Sequence, residues 1–129
     1  MSSRNAVLDL PPMPRSVRTA RRVLLELMQV WRLPHDPEDG ALLVTELVSN
    51  VIDHVEGESE LTLEISAADD WLRIAVADGS AIRPVVRELS MDQPRGRGMR
   101  MVEEIADRWG VEDHRGGKRV WCDLRPPGM

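Results

Sequence analysis

Phenylalanine and tyrosine are missing from this chain, cysteine and lysine occur once each, and no apolar run approaches membrane-spanning length. A lone cysteine, Cys122, cannot close an internal disulfide, which excludes a disulfide-stapled secreted scaffold and suits a reducing compartment. A bilayer span needs about 20 consecutive apolar residues, and none is present. Met1–Leu10 lacks the basic start and apolar run of a signal peptide, so the expected location is the cytoplasm, with no membrane partner. A basic excess is missing too. The net charge is -5, which makes nucleic acid an unlikely partner. Lys118 is the only lysine, and arginine supplies the rest of the positive charge. The 129 residues fit one domain, 1–129, long enough to bury a core without staples. Neither an internal repeat nor a linker is visible.

What is present divides into helical and extended stretches. Asn5–Leu10 alternates weakly and reads as a short edge strand. Pro11, Pro12 and Pro14 break the chain, and Ser16–Trp31 then carries an apolar face at helical spacing through Val17, Ala20, Leu24 and Leu27. Arg15, Arg18, Arg21 and Arg22 make its start basic, against the helix dipole. They form either a solvated face or a surface for an acidic partner. Asp36 is a good N-cap and Pro37 suits a first helical position, so a second helix is expected over 37–55, with Gly57 as its stop. Leu61, Leu63 and Ile65, then Leu72, Ile74 and Val76, alternate as an antiparallel hairpin turning at Ala68–Asp70. Ala81–Arg95 has no clear period. The stripe Met99, Val102, Ile105, Ala106 and Trp109 predicts a third helix near 97–109, ended by Gly110. Val111–His114 and Arg119–Leu124 flank Gly116–Gly117 as a second hairpin. Arg125–Met129 reads as a loose tail. Trp109 and Trp121 read as core or interface residues, and the methionines as adaptable packing.

The second helix carries the unusual feature. Leu43, Leu47 and Val51 recur at helical spacing, while Glu46, Asn50 and Asp53 share one face of the same helix. A carboxylate and an amide at the edge of an apolar stripe suggest a lined pocket; a solvated face is the alternative. Two further elements fit the same site. Asp78–Gly79 ends a strand, and Gly96–Arg97–Gly98 opens a helix. Asn50 offers an amide oxygen, a hard ligand suited to Mg²⁺. Glu46 can orient or deprotonate a nucleophile. Asp78 can accept a hydrogen bond from an exocyclic amine such as that of adenine. Glycines before a helix let backbone N–H groups approach a phosphate.

Together these motifs resemble a known family. Glu46-Leu-Val-Ser-Asn50-Val-Ile-Asp-His54 is similar to the N-box of GHKL ATPases, the superfamily of gyrase, histidine kinases and MutL. Val76-Ala-Asp78-Gly79-Ser80 stands where that family has its first glycine box. Gly96-Arg-Gly98-Met-Arg-Met-Val102 resembles the second box, and Gly117-Lys-Arg-Val-Trp121 the closing strand. The likeness is greatest to anti-sigma-factor serine/threonine kinases and their actinobacterial relatives. It implies a two-layer α/β sandwich of the Bergerat type, with helices on one face of a mixed, mostly antiparallel sheet. It implies ATP and Mg²⁺ as cofactors. Asn50 would be the metal ligand, Glu46 the catalytic base and Asp78 the adenine contact, with Gly79 beside it. Gly96, Arg97 and Gly98 would close over the phosphates behind a lid at Ser80–Arg95. The implied partners are a sigma factor or an anti-anti-sigma protein of STAS type, on a homodimeric scaffold; the alternative is a binding module that has lost its nucleotide. Two positions depart from the pattern. The first box is reduced to Asp78–Gly79, and Asp53 stands where a basic residue is common. A carboxylate about 5 Å from a phosphate charge costs about 3 kcal/mol at an effective dielectric near 20.

Overall fold

The computed structural model describes residues 3–54, 60–78, 96–114 and 117–128. Eight elements follow in the order β1 (Arg4–Leu10), α1 (Arg15–Val30), α2 (Pro37–His54), β2 (Leu61–Ala68), β3 (Trp71–Asp78), α3 (Gly96–Ile105), β4 (Arg108–His114) and β5 (Gly117–Leu124). The strands form one sheet in the order β1-β2-β3-β5-β4. Every pairing among the described strands is antiparallel, in keeping with the mostly antiparallel sheet expected. Helices on one side and the sheet on the other make a two-layer α/β sandwich, as expected. Asn5–Leu10 does form an edge strand, one residue longer at its start.

The strands alternate because one face is buried. Leu61, Leu63, Ile65, Leu72, Ile74, Val76, Val120, Cys122 and Leu124 all point to the helix side and are buried. From above they meet Leu43, Val44, Leu47, Val48 and Val51 of α2, with Ala20, Leu24 and Met28 of α1 behind them. Burial pushes the Cys122 thiol up to about 12, so it is a small apolar group in this core rather than a nucleophile.

Local chemistry sets the helix ends. The Glu38 amide donates to Asp36 Oδ1 at 2.9 Å, the N-cap expected for α2. At the end of α1 the Leu33 amide donates to the Met28 carbonyl at 3.0 Å and that of Arg32 to Gln29 at 3.1 Å. Arg32 takes φ 56 there. This paired pattern closes the helix and turns the chain toward α2.

The third helix is shorter than its apolar stripe implies. It stops at Ile105, and Trp109 and Gly110 belong to β4. The Asp107 amide donates to the Asp123 carbonyl at 2.9 Å, and Asp107 Oδ2 accepts from the Arg125 amide at 2.7 Å. These bonds to β5 and the residue after it replace the next helical turn. Gly110 is therefore no helix stop. It pairs with Trp121, and a Cβ at position 110 would lie 2.9 Å from Trp121 Cζ2. Gly110→Ala is expected to cost about 1–3 kcal/mol by overpacking. Urea titration would read the loss, accompanied by a shift in tryptophan emission as the Trp121 ring is displaced.

The outer sheet face carries a polar layer. Arg73 Nε meets Asp123 Oδ1 at 2.7 Å, and Arg108 Nε meets Asp123 Oδ2 at 2.7 Å. The Arg73 guanidinium lies 4.3 Å from the centre of the Trp121 ring, and that of Arg108 3.9 Å from Trp71. Trp121 thus lies on this outer face, while Trp109 packs against the core. Arg119 ties β5 to its neighbours through Glu64 at 3.1 Å and Glu112 at 2.8 Å.

Candidate functional site

Six polar or charged residues are buried among the described ones: Ser16, His35, Asn50, Asp78, Lys118 and Asp123. Three of them tie the fold together. Ser16 Oγ donates to the Pro11 carbonyl at 2.6 Å. His35 Nε2 and the Asp70 carbonyl lie 3.0 Å apart. Asp123 holds the outer layer. The other three, Asn50, Asp78 and Lys118, are brought to one end of the domain.

The connectivity explains why. After α2 the chain returns to start β2 at Leu61, so the last turns of α2 lie over the end of the sheet where β2 begins. The β2–β3 register pairs Leu61 with Asp78, which places the end of β3 at that same edge. The β3–β5 register pairs Ala77 with Arg119, so the start of β5 lies there too. Helix α2 packs on both β3 and β5, and α3 packs on α2. Asp78 and Lys118 occupy the core-facing phase of their strands, the phase of Val76 and Val120. They face the side from which Asn50 descends. Exposure is 5% for Asn50, 3% for Asp78 and 2% for Lys118.

Glu46, one turn before Asn50, is half-buried. Burial raises its carboxyl above the ordinary range. A raised folded-state value means that the folded chain binds its proton more readily than the unfolded one, so this group lowers stability as pH rises. Glu46→Gln removes that term. The variant is expected to melt above the wild type at pH 7, and the gap should close on titration toward pH 4. Differential scanning calorimetry across that range checks the sign.

Asp53, placed on the same face as Glu46 and Asn50, is exposed. The polar row therefore runs from half-buried through buried to exposed. Gly96, Arg97 and Gly98 form the first turn of α3, as expected for a helix-opening loop. Gly79, the lid at Ser80–Arg95, Gly57 and the side chain of His54 lie outside the described residues.

Lys118 was not read as a site residue from the sequence. The available signal was its phase: it alternates with Val120, Cys122 and Leu124, all of which face the core. A lone lysine in a β-hairpin ordinarily reads as solvated.

A profile of the histidine kinase-like ATPase domain matches residues 10–123, from the last residue of β1 almost to the end of β5. The chain belongs to the histidine kinase-like ATPase domain family. No curated protein matches it. Membership accounts for the two-layer sandwich, and it associates this ATPase-family domain with nucleotide binding in general. Within it, Asn50 lies on α2 and Asp78 at the end of β3, paired with Leu61 of β2.

A groove among the described residues lies elsewhere. It holds about 840 Å³ along α1, with Leu25, Met28 and Leu33 as floor and Arg18, Arg21, Arg22 and Arg32 as rim. Neither Glu46, Asn50 nor Asp78 lines it. No described helix is long and apolar enough to cross a membrane.

Proposed function

We propose that this domain is an anti-sigma-factor-type regulator that uses Mg·ATP to phosphorylate a serine or threonine of an anti-anti-sigma partner. The observation that carries the reading is the burial of two polar residues, Asn50 of α2 and Asp78 at the end of β3, within a histidine kinase-like ATPase fold. Bound Mg·ATP would supply the phosphoryl group. Asp78 would accept a hydrogen bond from the adenine amine, and Asn50 would ligate Mg²⁺. Among the described residues no group of three His, Cys, Asp or Glu gathers to cage a metal. A single amide oxygen such as that of Asn50 would suit Mg²⁺, which keeps several waters and takes only one or two protein ligands beside phosphate oxygens. The backbone amides of Gly96, Arg97 and Gly98 suit the phosphates, since they open α3. Glu46 would take the proton of the incoming hydroxyl, and its raised carboxyl is closer in pKa to that task than an ordinary glutamate.

Incubation with labelled ATP and candidate STAS-type partners tests this. Phosphotransfer should be lost in Glu46→Ala while nucleotide binding is kept. Transfer undiminished in that variant would remove Glu46 from the mechanism. A homodimer is the proposed scaffold. Val7 on edge strand β1 and Val30 on α1, both exposed, are apolar surface that such a pairing would cover.

A second reading is favoured by the α1 groove. Among the described residues, Arg18, Arg21, Arg22 and Arg32 form no hydrogen bond or ion pair, yet they surround an apolar floor. A binding module that holds a sigma factor by this surface needs no catalysis. Pull-down from native extract should then recover a sigma factor or an antagonist, and reversing Arg18 and Arg21 to Glu should abolish capture whatever happens to ATP binding.

A further inference from the structure

Lysine is almost never fully buried without a compensating partner, because its ammonium loses its hydration. Lys118 is 2% exposed, and it lies on the core face of β5. The β3–β5 register pairs Ala77 with Arg119; one residue further it sets Asp78 opposite Lys118, on the same face. Side chains directly opposite on adjacent strands have Cβ atoms about 5 Å apart. A carboxylate and an ammonium therefore stand side by side at the end of the sheet, a neighbouring acceptor and donor. We propose that Lys118 reads the base in this site: Asp78 accepts from the exocyclic amine of adenine while the Lys118 ammonium donates to the adjacent ring nitrogen N1.

The chemistry of the base edge favours adenine. Adenine presents a donor at the 6-position beside an acceptor at N1, which complements a carboxylate beside an ammonium. Hypoxanthine presents the reverse, a carbonyl at the 6-position and N1–H. Against Asp78 and Lys118 that base meets two mismatches, an oxygen facing a carboxylate and a donor facing a donor. Sites built on paired polar groups reject such analogues strongly, since the buried groups are left unsatisfied. Lys118 would thus be a specificity residue. A lysine that merely balanced the Asp78 charge would affect all bases alike.

This inference rests on the nucleotide reading above, and the test separates the two. Calorimetry on the wild-type chain compares Mg·ATP, Mg·ITP and the Mg complex of 1-deaza-ATP, in which a C–H replaces N1. The 1-deaza analogue should bind about tenfold more weakly than ATP or worse, the loss of one hydrogen bond to a charged group. In Lys118→Met, whose fold is checked by its melting curve, ATP should weaken by about tenfold and the preference for ATP over 1-deaza-ATP should fall to within twofold. Equal wild-type affinity for ATP and 1-deaza-ATP overturns the proposal without any variant. So does a discrimination that survives Lys118→Met, or an ATP affinity that rises in it. No binding of any nucleotide by the wild-type chain overturns both this proposal and the nucleotide reading.

Discussion

The double variant Arg73→Met/Arg108→Met is expected to lose about 3–5 kcal/mol of stability and to melt lower by about 10 °C or more. The reason lies in an asymmetry of burial. Asp123 is 1% exposed, while its partners Arg73 and Arg108 are 43% and 51% exposed. Removing both guanidiniums leaves a buried carboxylate with no compensating charge, under methionines that keep it covered. Removing the carboxylate instead, as in Asp123→Asn, leaves two arginines that water already reaches. That single change is expected to cost only about 1–2 kcal/mol, near the usual worth of hydrogen bonds to charged groups. Guanidinium titration of the three proteins reads the order. An Asp123→Asn loss equal to or above that of the double variant would mean that the buried carboxylate is not the costly partner.

The pH dependence has a defined sign. Burial alone would raise the Asp123 carboxyl, but its bonds to Arg73 and Arg108 hold it below the ordinary range. A depressed folded-state value gives stability that is present above the unfolded carboxyl's titration near pH 4 and fades as pH falls through the folded one. The wild type should therefore lose this increment in acid. The double variant lacks it from the start, so the gap between the two should narrow below pH 4.

The second large effect concerns Asp78. If it accepts the adenine amine, Asp78→Ala should weaken Mg·ATP by about 100-fold. That corresponds to a hydrogen bond to a charged group of up to about 3 kcal/mol in a site closed to water. The same variant also removes the carboxylate that stands across from the buried Lys118, so its folded state is established first. Fluorescence titration with a labelled ATP analogue checks the loss, with a melt to confirm the fold. An affinity within threefold of the wild type would place Asp78 outside the base pocket.

Much of this architecture was legible because period and burial agree. In α2 the stripe Leu43, Leu47 and Val51 repeats at helical spacing and is the face the sheet covers. In β2 and β3 strict alternation matches a sheet with one buried side. Legibility failed where a pattern continued past its cause. Ala106 and Trp109 extend the apolar stripe of α3 by coincidence of phase. The bonds of Asp107 to Asp123 and Arg125, distant or unseen in sequence, end the helix first. Gly110 imitates a helix stop, but its role is to leave room for the Trp121 ring. Asp123, Arg73 and Arg108 are ordinary surface charges in the sequence, and only the register of β3, β5 and β4 makes them a unit.

The site divides in the same way. Asn50 and Asp78 could be picked out because polar residues interrupt apolar patterns there, and both are buried. Asp53 could not be separated from them by helical spacing, yet it is exposed at the last turn of α2. An exposed carboxylate is better hydrated and repels phosphate less than the about 3 kcal/mol reckoned at close range. Asp53→Arg is accordingly expected to raise nucleotide affinity, by about tenfold if the phosphates pass near it. Lys118 escaped notice since a single lysine near a turn is commonplace. Its significance comes from standing across from Asp78.

The central claim is that this domain binds nucleotide at the end of the sheet formed by Asn50, Asp78 and the start of α3. Isothermal calorimetry with Mg·ATP, run beside a thermal-shift titration to millimolar nucleotide, tests it most directly. Saturable heat and a rise in melting temperature, both lost in Asp78→Ala, are the predicted result. Neither heat nor a shift at saturating millimolar Mg·ATP would contradict it.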